Sequence, residues 1–101
     1  MIDNKLDFIL VLAGEECAEL QQCFSKIMRF GIDDLYNGST NKQRLITELI
    51  DFGVVLDLLI DELGIENEIN DSESFKNKLE KIRKYLEYSK SVGKVARLAE
   101  I

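Results

Sequence analysis

Apolar side chains recur every three or four residues along most of this chain, which is the spacing of one face of an α-helix. The pattern predicts a first helix from about Asn4 to Phe30, with Asp3 or Asn4 as its N-cap and Gly31 at its end. No stretch shows the alternation of apolar and polar residues that is typical of a half-buried β-strand. The fold class expected from this pattern is therefore all-α.

A second predicted helix begins after Thr40, where the run Thr40-Asn-Lys-Gln43 fits a capping box, and it ends before Gly64. The segment between the two helices, residues 31–39, is rich in turn-forming residues. A connection this short favours two antiparallel neighbours, so we expect the first two helices to form a helical hairpin.

The remainder of the chain is predicted to add one helix. Residues 66–71 form a polar linker, and an apolar stripe predicts a third helix from about Ser72 to Ser89. Residues 90–101 form a tail with a weak helical pattern, expected as a short helix or a mobile end. We interpret residues 1–101 as a single helical domain with its core in residues 4–89. The apolar arcs of the helical hairpin are wider than one partner helix covers, which predicts a four-helix-bundle-like homodimer or homotetramer.

The amino-acid composition excludes several classes of function. The 101 residues carry a net charge of −6 and contain no histidine, which excludes a Ser-His-Asp triad and a zinc site with histidine ligands. The acidic balance of the whole chain argues against a nucleic-acid partner, because phosphate contacts need clustered lysines and arginines. The acidic excess lies in residues 1–64, with 12 acidic and 5 basic side chains, whereas residues 65–101 carry 7 acidic and 8 basic ones. The sequence has no signal-peptide pattern and no apolar run long enough for a membrane span, so we expect a cytoplasmic protein with no membrane partner. Cys17 and Cys23 are predicted to be reduced thiols in the core.

Two pairs of acidic residues interrupt the apolar faces of the first two helices. On a helical wheel, Glu16 falls in the middle of the apolar arc of the first helix, with Glu19 beside it one turn along. The second helix repeats the arrangement with Glu48 and Asp51. In an antiparallel hairpin the two pairs lie within about one turn of each other in height.

Four carboxylates in an apolar setting would repel one another or take up protons. A hard divalent cation removes this conflict, and ligand sets made only of oxygen suit Mg²⁺ or Mn²⁺. The two pairs therefore predict a metal site formed by Glu16, Glu19, Glu48 and Asp51. The alternative interpretation is that these acids are solvated, as acids at this spacing on helices commonly are.

The same acids resemble the motif of a known family. The run Glu15-Glu16-Cys-Ala-Glu19-Leu, followed 28 residues later by Glu48-Leu-Ile-Asp51, looks like the EExxE…ExxD signature of the MazG-like, all-α NTP pyrophosphatases, and the resemblance covers about residues 5–64. It implies Mg²⁺-dependent hydrolysis of a nucleoside triphosphate to a monophosphate and diphosphate, as house-cleaning or control of the nucleotide pool. It also implies that the two acid pairs bind Mg²⁺ and that Glu15 supports the substrate-binding site.

Mechanistic roles follow for a few residues. Because the chain has no histidine, a carboxylate or the metal must activate the attacking water, and Glu19 and Glu48 are the candidates for a combined ligand and general-base role. Lys26 lies two turns beyond Glu19 on a nearby part of the helix surface, so we expect it to contact phosphate.

Three further residues are candidates for substrate binding. Lys78 and Lys81 of the third helix are expected to contact the released diphosphate. Phe8 shares the Glu19 side of the first helix, and we expect it to stack on the base. The plainer alternative is that the lysines only solvate a helix surface and that Phe8 belongs to the core.

Two other functions stay open at this stage. One is hydrolysis of a related nucleotide such as phosphoribosyl-ATP. The other is a non-enzymatic helical dimerisation or regulatory module, in which the acids bind metal only to stabilise the fold.

Overall fold

The computed structural model describes residues 4–101 and is mostly helical. Helix α1 spans Lys5–Phe30, as the apolar pattern predicts. Its N-cap is Asn4, whose side-chain oxygen accepts a hydrogen bond from the backbone N–H of Asp7 at 2.8 Å, and Asp3 lies outside the described residues. The helix ends at Gly31, where φ is +97°.

A short β-hairpin follows α1, and the hydrophobic pattern did not predict it. Strand β1 (Leu35–Tyr36) pairs antiparallel with strand β2 (Ser39–Thr40). The two turn residues between them, Asn37 and Gly38, both have positive φ, at 51° and 81°. Asn-Gly is the pair that a two-residue turn of this kind favours, so a local signal was present although the strands are too short to show alternation.

Helix α2 spans Asn41–Leu63 and begins with the predicted capping box. The Thr40 hydroxyl accepts from the Gln43 backbone N–H at 3.1 Å, and the Gln43 side chain accepts from the Thr40 backbone N–H at 2.7 Å. Two free N–H groups at the helix start are thereby satisfied. The helix ends at Gly64 in the left-handed conformation.

The helices α1 and α2 form the predicted antiparallel helical hairpin. A 3.2 Å ion pair between Lys5 and Glu62 joins the start of α1 to the end of α2. At the opposite end, the Asn41 side chain donates to the Gly31 carbonyl at 2.8 Å. Among residues 4–101, the buried apolar side chains lie on these two helices: Ile9, Leu20 and Val55.

The chain divides into two compact units, Met1–Glu66 and Asn67–Ile101. A single helical turn, α3 (Glu66–Ile69), lies within the segment predicted as a linker. Helix α4 spans Ser72–Ser91, two residues longer than predicted, with Asp71 as its N-cap. Hydrogen bonds from Ser74 and Glu73 to its carboxylate lower the pKa of Asp71.

The tail continues without a further helix through residues 92–101. Inside the second unit, the Arg83 side chain donates to the Ile101 carbonyl at 2.8 Å, which returns the end of the tail to α4. Of the two alternatives for residues 90–101, the short helix is therefore wrong beyond Ser91. Within residues 4–101, the helices are all too short or too polar to cross a membrane.

Candidate metal centre

Three of the four predicted carboxylates meet where α1 and α2 face each other. Glu16 and Glu19, one helical turn apart on α1, approach Glu48 of α2, and one oxygen from each lies within 4.8 Å of the others. Because the helices run antiparallel, residues near the middle of each are brought to the same height. The acid cluster is defined here as these three side chains.

Two of these three carboxyl groups, those of Glu16 and Glu48, have raised pKa values. The pKa of Glu48 is raised to about 7, first because its protonated carboxyl hydrogen-bonds to Glu19, then because of burial and the neighbouring negative charges. Burial and the charges of Glu19 and Asp51 raise the pKa of Glu16 as well. Without a counter-charge, the cluster therefore holds on to a proton close to neutral pH.

The same two residues carry unpartnered oxygen atoms. Oε2 of Glu16 and Oε2 of Glu48 are both buried, and neither has a hydrogen-bond partner among residues 4–101. A buried polar atom without a partner is costly, and carboxylate oxygens are the donors that hard divalent cations prefer. The donor set and its unpartnered oxygens fit a Mg²⁺ or Mn²⁺ ion.

The remaining motif acids lie outside this cluster. Asp51 is exposed and does not join the three close oxygens, although its charge acts on both Glu16 and Glu48. Glu15 is also exposed and lies on another side of α1. The structure thus brings together three of the four predicted ligands and leaves Asp51 outside the acid cluster.

An open cleft of about 390 Å³ adjoins the acid cluster and is named here the acid-side cleft. Glu19 and Glu48 form one part of its lining, and Lys26 and Arg44 bring positive charge to another. The predicted phosphate contact, Lys26, therefore lies in a common cleft with two of the acids. Such a juxtaposition suits a ligand that carries both metal-bridging and free anionic groups.

Arg44 is the principal residue that sequence reasoning missed. Its guanidinium donates to the backbone carbonyl of Tyr36 and lies over the Tyr36 ring, 5.4 Å from the ring centroid. The wheel of α2 held a signal, because Arg44 precedes Glu48 by four residues and so lies one turn away on the same face.

The other predicted contacts are placed elsewhere. Phe8 is about half exposed and lines neither the acid-side cleft nor its neighbour described below. Lys78 and Lys81 lie on α4 in the second unit, where Lys81 lines a shallow cleft with Lys84 and Tyr85. The roles proposed for these three residues stay predictions.

The two cysteines differ in their surroundings. Cys23 is half-buried and lines the acid-side cleft, and its burial together with the charge of Glu48 raises the pKa of its thiol. Cys17 is exposed, so its prediction as a core thiol is wrong for the single chain. The two residues are six apart on α1, so their side chains point in different directions and only that of Cys23 reaches the cleft.

None of the protein-family models, curated proteins or solved structures compared with this chain matches it. The likeness to the pyrophosphatase family accordingly rests on the spacing of the motif acids in residues 15–51. The candidate centre is described by its own geometry: three convergent carboxylates, two unpartnered oxygens and an adjoining cleft with two cationic side chains.

Proposed function

We propose that the protein is a Mg²⁺-dependent nucleoside triphosphate pyrophosphohydrolase, which converts a (d)NTP and water to a (d)NMP and diphosphate. The observation that carries this proposal is the acid cluster with its two unpartnered oxygens beside a cleft that also contains Lys26 and Arg44. A triphosphate is the common ligand that needs both features, since its oxygens bridge metal ions and pair with cationic side chains.

In this proposal Glu16, Glu19 and Glu48 hold the ion, and Asp51 joins them by a change of side-chain rotamer. Bound Mg²⁺ would neutralise phosphate charge and lower the pKa of a coordinated water. Lys26 and Arg44 would hold the phosphate oxygens that face away from the acids. A carboxylate of Glu19 or Glu48 would accept the proton of the attacking water, because both reach the cleft and the chain has no histidine.

The proposal extends to a homo-oligomer, in which a second copy covers the apolar surface of the helical hairpin. Leu49 and Leu56 of α2 are 50% and 39% exposed, and Phe24 and Met28 of α1 are 50% and 85% exposed. Exposed apolar area on this scale on both helices is typical of a surface that is covered by another chain. A helical bundle of two such hairpins would provide that cover.

The test is release of diphosphate from a panel of common and modified (d)NTPs, with Mg²⁺ and with EDTA. We expect Mg²⁺-dependent release that Glu48→Gln reduces by at least about 100-fold, since the change removes a ligand and a candidate base. Asp57→Asn is the matched control, because Asp57 is an exposed acid on the same helix outside the acid cluster.

Two other outcomes would replace this function. Cleavage of phosphoribosyl-ATP with no cleavage of any (d)NTP would show that phosphoribosyl-ATP is the substrate. Mg²⁺-dependent thermal stabilisation without turnover of any nucleotide would indicate a metal-stabilised dimerisation or regulatory module.

A further inference from the structure

A second cleft, of about 430 Å³, adjoins the acid-side cleft and is named here the loop-side cleft. Lys26, Asn41 and Arg44 line both clefts, so the two are neighbours that share these three side chains. The residues that line only the loop-side cleft are of a different kind: Phe30, Asp34 and Tyr36. A ligand held by its phosphates at Lys26 and Arg44 would therefore extend into a space with two aromatic rings and a carboxylate.

The order of side chains along α1 matches the order of groups in a nucleotide. Lys26 and Phe30 follow Glu19 by seven and eleven residues, so all three lie on one face, with Lys26 roughly 10 Å and Phe30 roughly 16 Å along the helix axis. On the antiparallel α2, Arg44 lies on the corresponding side of Glu48. Acid, cation and aromatic groups thus follow one another in the order metal, phosphate, base.

The loop that carries the aromatic and acidic groups is held against α2 by several hydrogen bonds. Asn41, which is buried, donates from its side chain to the Gly31 carbonyl at 2.8 Å and from its backbone to the Asp34 carbonyl at 3.1 Å. The pairing of β1 with β2 fixes Tyr36. A binding surface fixed in this way loses little conformational entropy when a ligand is bound.

Both aromatic residues that line the loop-side cleft are largely exposed. Phe30 is 60% and Tyr36 is 63% exposed, and each has an arginine against its ring, Arg29 at 4.9 Å and Arg44 at 5.4 Å from the centroid. Exposed aromatic rings in a cleft are suited to stacking with a flat heterocycle.

Asp34 is the carboxylate among the residues that line the loop-side cleft. Among residues 4–101 its carboxylate takes part in no side-chain hydrogen bond or ion pair of the structure, and an ionised carboxylate only accepts hydrogen bonds. Guanine presents two adjacent donors on one edge, N1–H and the 2-amino group, which a carboxylate accepts together. Adenine has an acceptor at N1 and hypoxanthine lacks the 2-amino group.

We propose that the loop-side cleft is a nucleobase subsite that selects guanine nucleotides. Tyr36 and Phe30 contact the flat face of the base, and Asp34 accepts hydrogen bonds from its N1–H and 2-amino group. This inference rests on the proposed function for the position of the phosphates, and it names the substrate class of that site.

Equilibrium binding of GMP, IMP and AMP to the full chain in Mg²⁺ tests the subsite without any turnover. The wild type is expected to bind GMP about tenfold more tightly than IMP, which differs only by the 2-amino group, and AMP more weakly still. Asp34→Asn, which keeps the shape of the side chain, should reduce the GMP preference to about one. Equal binding of GMP and IMP by the wild type, or a preference that survives Asp34→Asn, would overturn the inference.

A matched pair of variants tests the aromatic surface. Tyr36→Ala should weaken binding of all three mononucleotides by about tenfold, whereas Tyr36→Phe, which retains the ring, should bind them as the wild type does. Binding of tripolyphosphate with Mg²⁺, a probe without a base, shows that Tyr36→Ala is folded at its phosphate site. Unchanged mononucleotide binding by Tyr36→Ala contradicts the subsite.

The two proposals fail in different measurements. A GMP preference that depends on Asp34 in a protein that releases no diphosphate would support the subsite and refute the proposed function. Diphosphate release from every NTP at equal rates, with no GMP preference in binding, would support the proposed function and refute the subsite.

Discussion

Glu48 is unfavourable for folding in the position that it occupies, yet it is the kind of side chain that a metal site requires. Its carboxylate is partly removed from water, lies beside two other acids and has one oxygen without a partner. An arrangement optimised for folding alone would place a neutral side chain at this point of the helical hairpin. A bound cation would neutralise the cluster, and the proposed function would then account for acids that destabilise the metal-free fold.

Glu48→Gln should therefore stabilise the metal-free protein while removing its response to metal. At pH 8 the change eliminates repulsion with Glu16 and Glu19, so we expect the melting temperature in EDTA to rise. Mg²⁺ at about 100 times its Kd should stabilise the wild type by about 2.7 kcal/mol and the variant far less. Calorimetry with and without Mg²⁺ measures both effects, and a metal response retained in full by Glu48→Gln would contradict the ligand role.

The raised pKa of Glu48 also predicts a pH dependence. The folded state holds a proton at Glu48 up to about pH 7, whereas the unfolded chain releases it near 4.5. The native state therefore binds more protons between these values, and the stability of the metal-free protein should fall as pH rises from 5 to 8. Because Mg²⁺ must displace that proton, its stabilising effect should grow over the same range. Melting curves at pH 5.5, 6.5 and 7.5 test both trends, and Glu48→Gln should flatten them.

At the residue scale, the buried acids of the candidate centre could be predicted from the sequence, but the arginine of the adjoining cleft could not. Glu16 and Glu48 interrupt apolar arcs, and that pattern is visible without a structure. Arg44 belongs to no such interruption, since an arginine near a helix start is unremarkable until the β-hairpin brings Tyr36 beside it. Asp51, in contrast, was predicted as a ligand and lies outside the acid cluster. A helical wheel gives the side of the helix on which a residue lies, but it does not give the side-chain rotamer that decides whether an oxygen reaches the cluster.

At the scale of secondary structure, the start of α2 connects folding to the candidate site. The capping box at Thr40 fixes the first turn of α2, and that turn carries Asn41 and Arg44 into both clefts. The Asn41 side chain in turn holds the end of α1 at Gly31. Correct geometry at the clefts therefore depends on a helix terminus as well as on the lining side chains.

Thr40→Ala should cost about 1 kcal/mol in the free energy of unfolding, since it leaves the Gln43 backbone N–H without its partner. For a chain of this size the loss lowers the melting temperature by roughly 4–8 °C. Thr40→Ser is the matched control and should remain within a few tenths of a kcal/mol of the wild type. Equal stability of the alanine and serine variants would show that the cap contributes little.

Long secondary-structure elements could be predicted from the sequence, whereas very short ones could not. The long helices α1, α2 and α4 were predicted to within about two residues, because their caps and periodic apolar positions extend over many turns. The strands β1 and β2 have two residues each and cannot display a period, so only their Asn37-Gly38 turn indicated them. The single turn α3 is likewise too short for periodicity.

At the scale of the whole molecule, exposed apolar positions repeat along both helices of the hairpin. Leu49, Leu56 and Leu63 are spaced by seven residues on α2 and are 39–50% exposed. On α1, Leu10, Cys17 and Phe24 have the same spacing. Residues seven apart lie on nearly the same side of a helix, so each set forms a stripe, and we call the two together the apolar stripes. A second copy placed against them would also enclose Cys17.

Self-association through the apolar stripes gives the last prediction. Leu56→Glu introduces a charge at the centre of the α2 stripe and should convert the assembly to a species of lower mass, because a buried unpaired carboxylate opposes association. Sedimentation equilibrium measures the mass directly. Val54→Glu is the matched control, since Val54 is 57% exposed and lies on a different side of α2. A wild type that sediments as a single chain would contradict the assembly, and loss of mass in Val54→Glu alone would place the interface on the other side of α2.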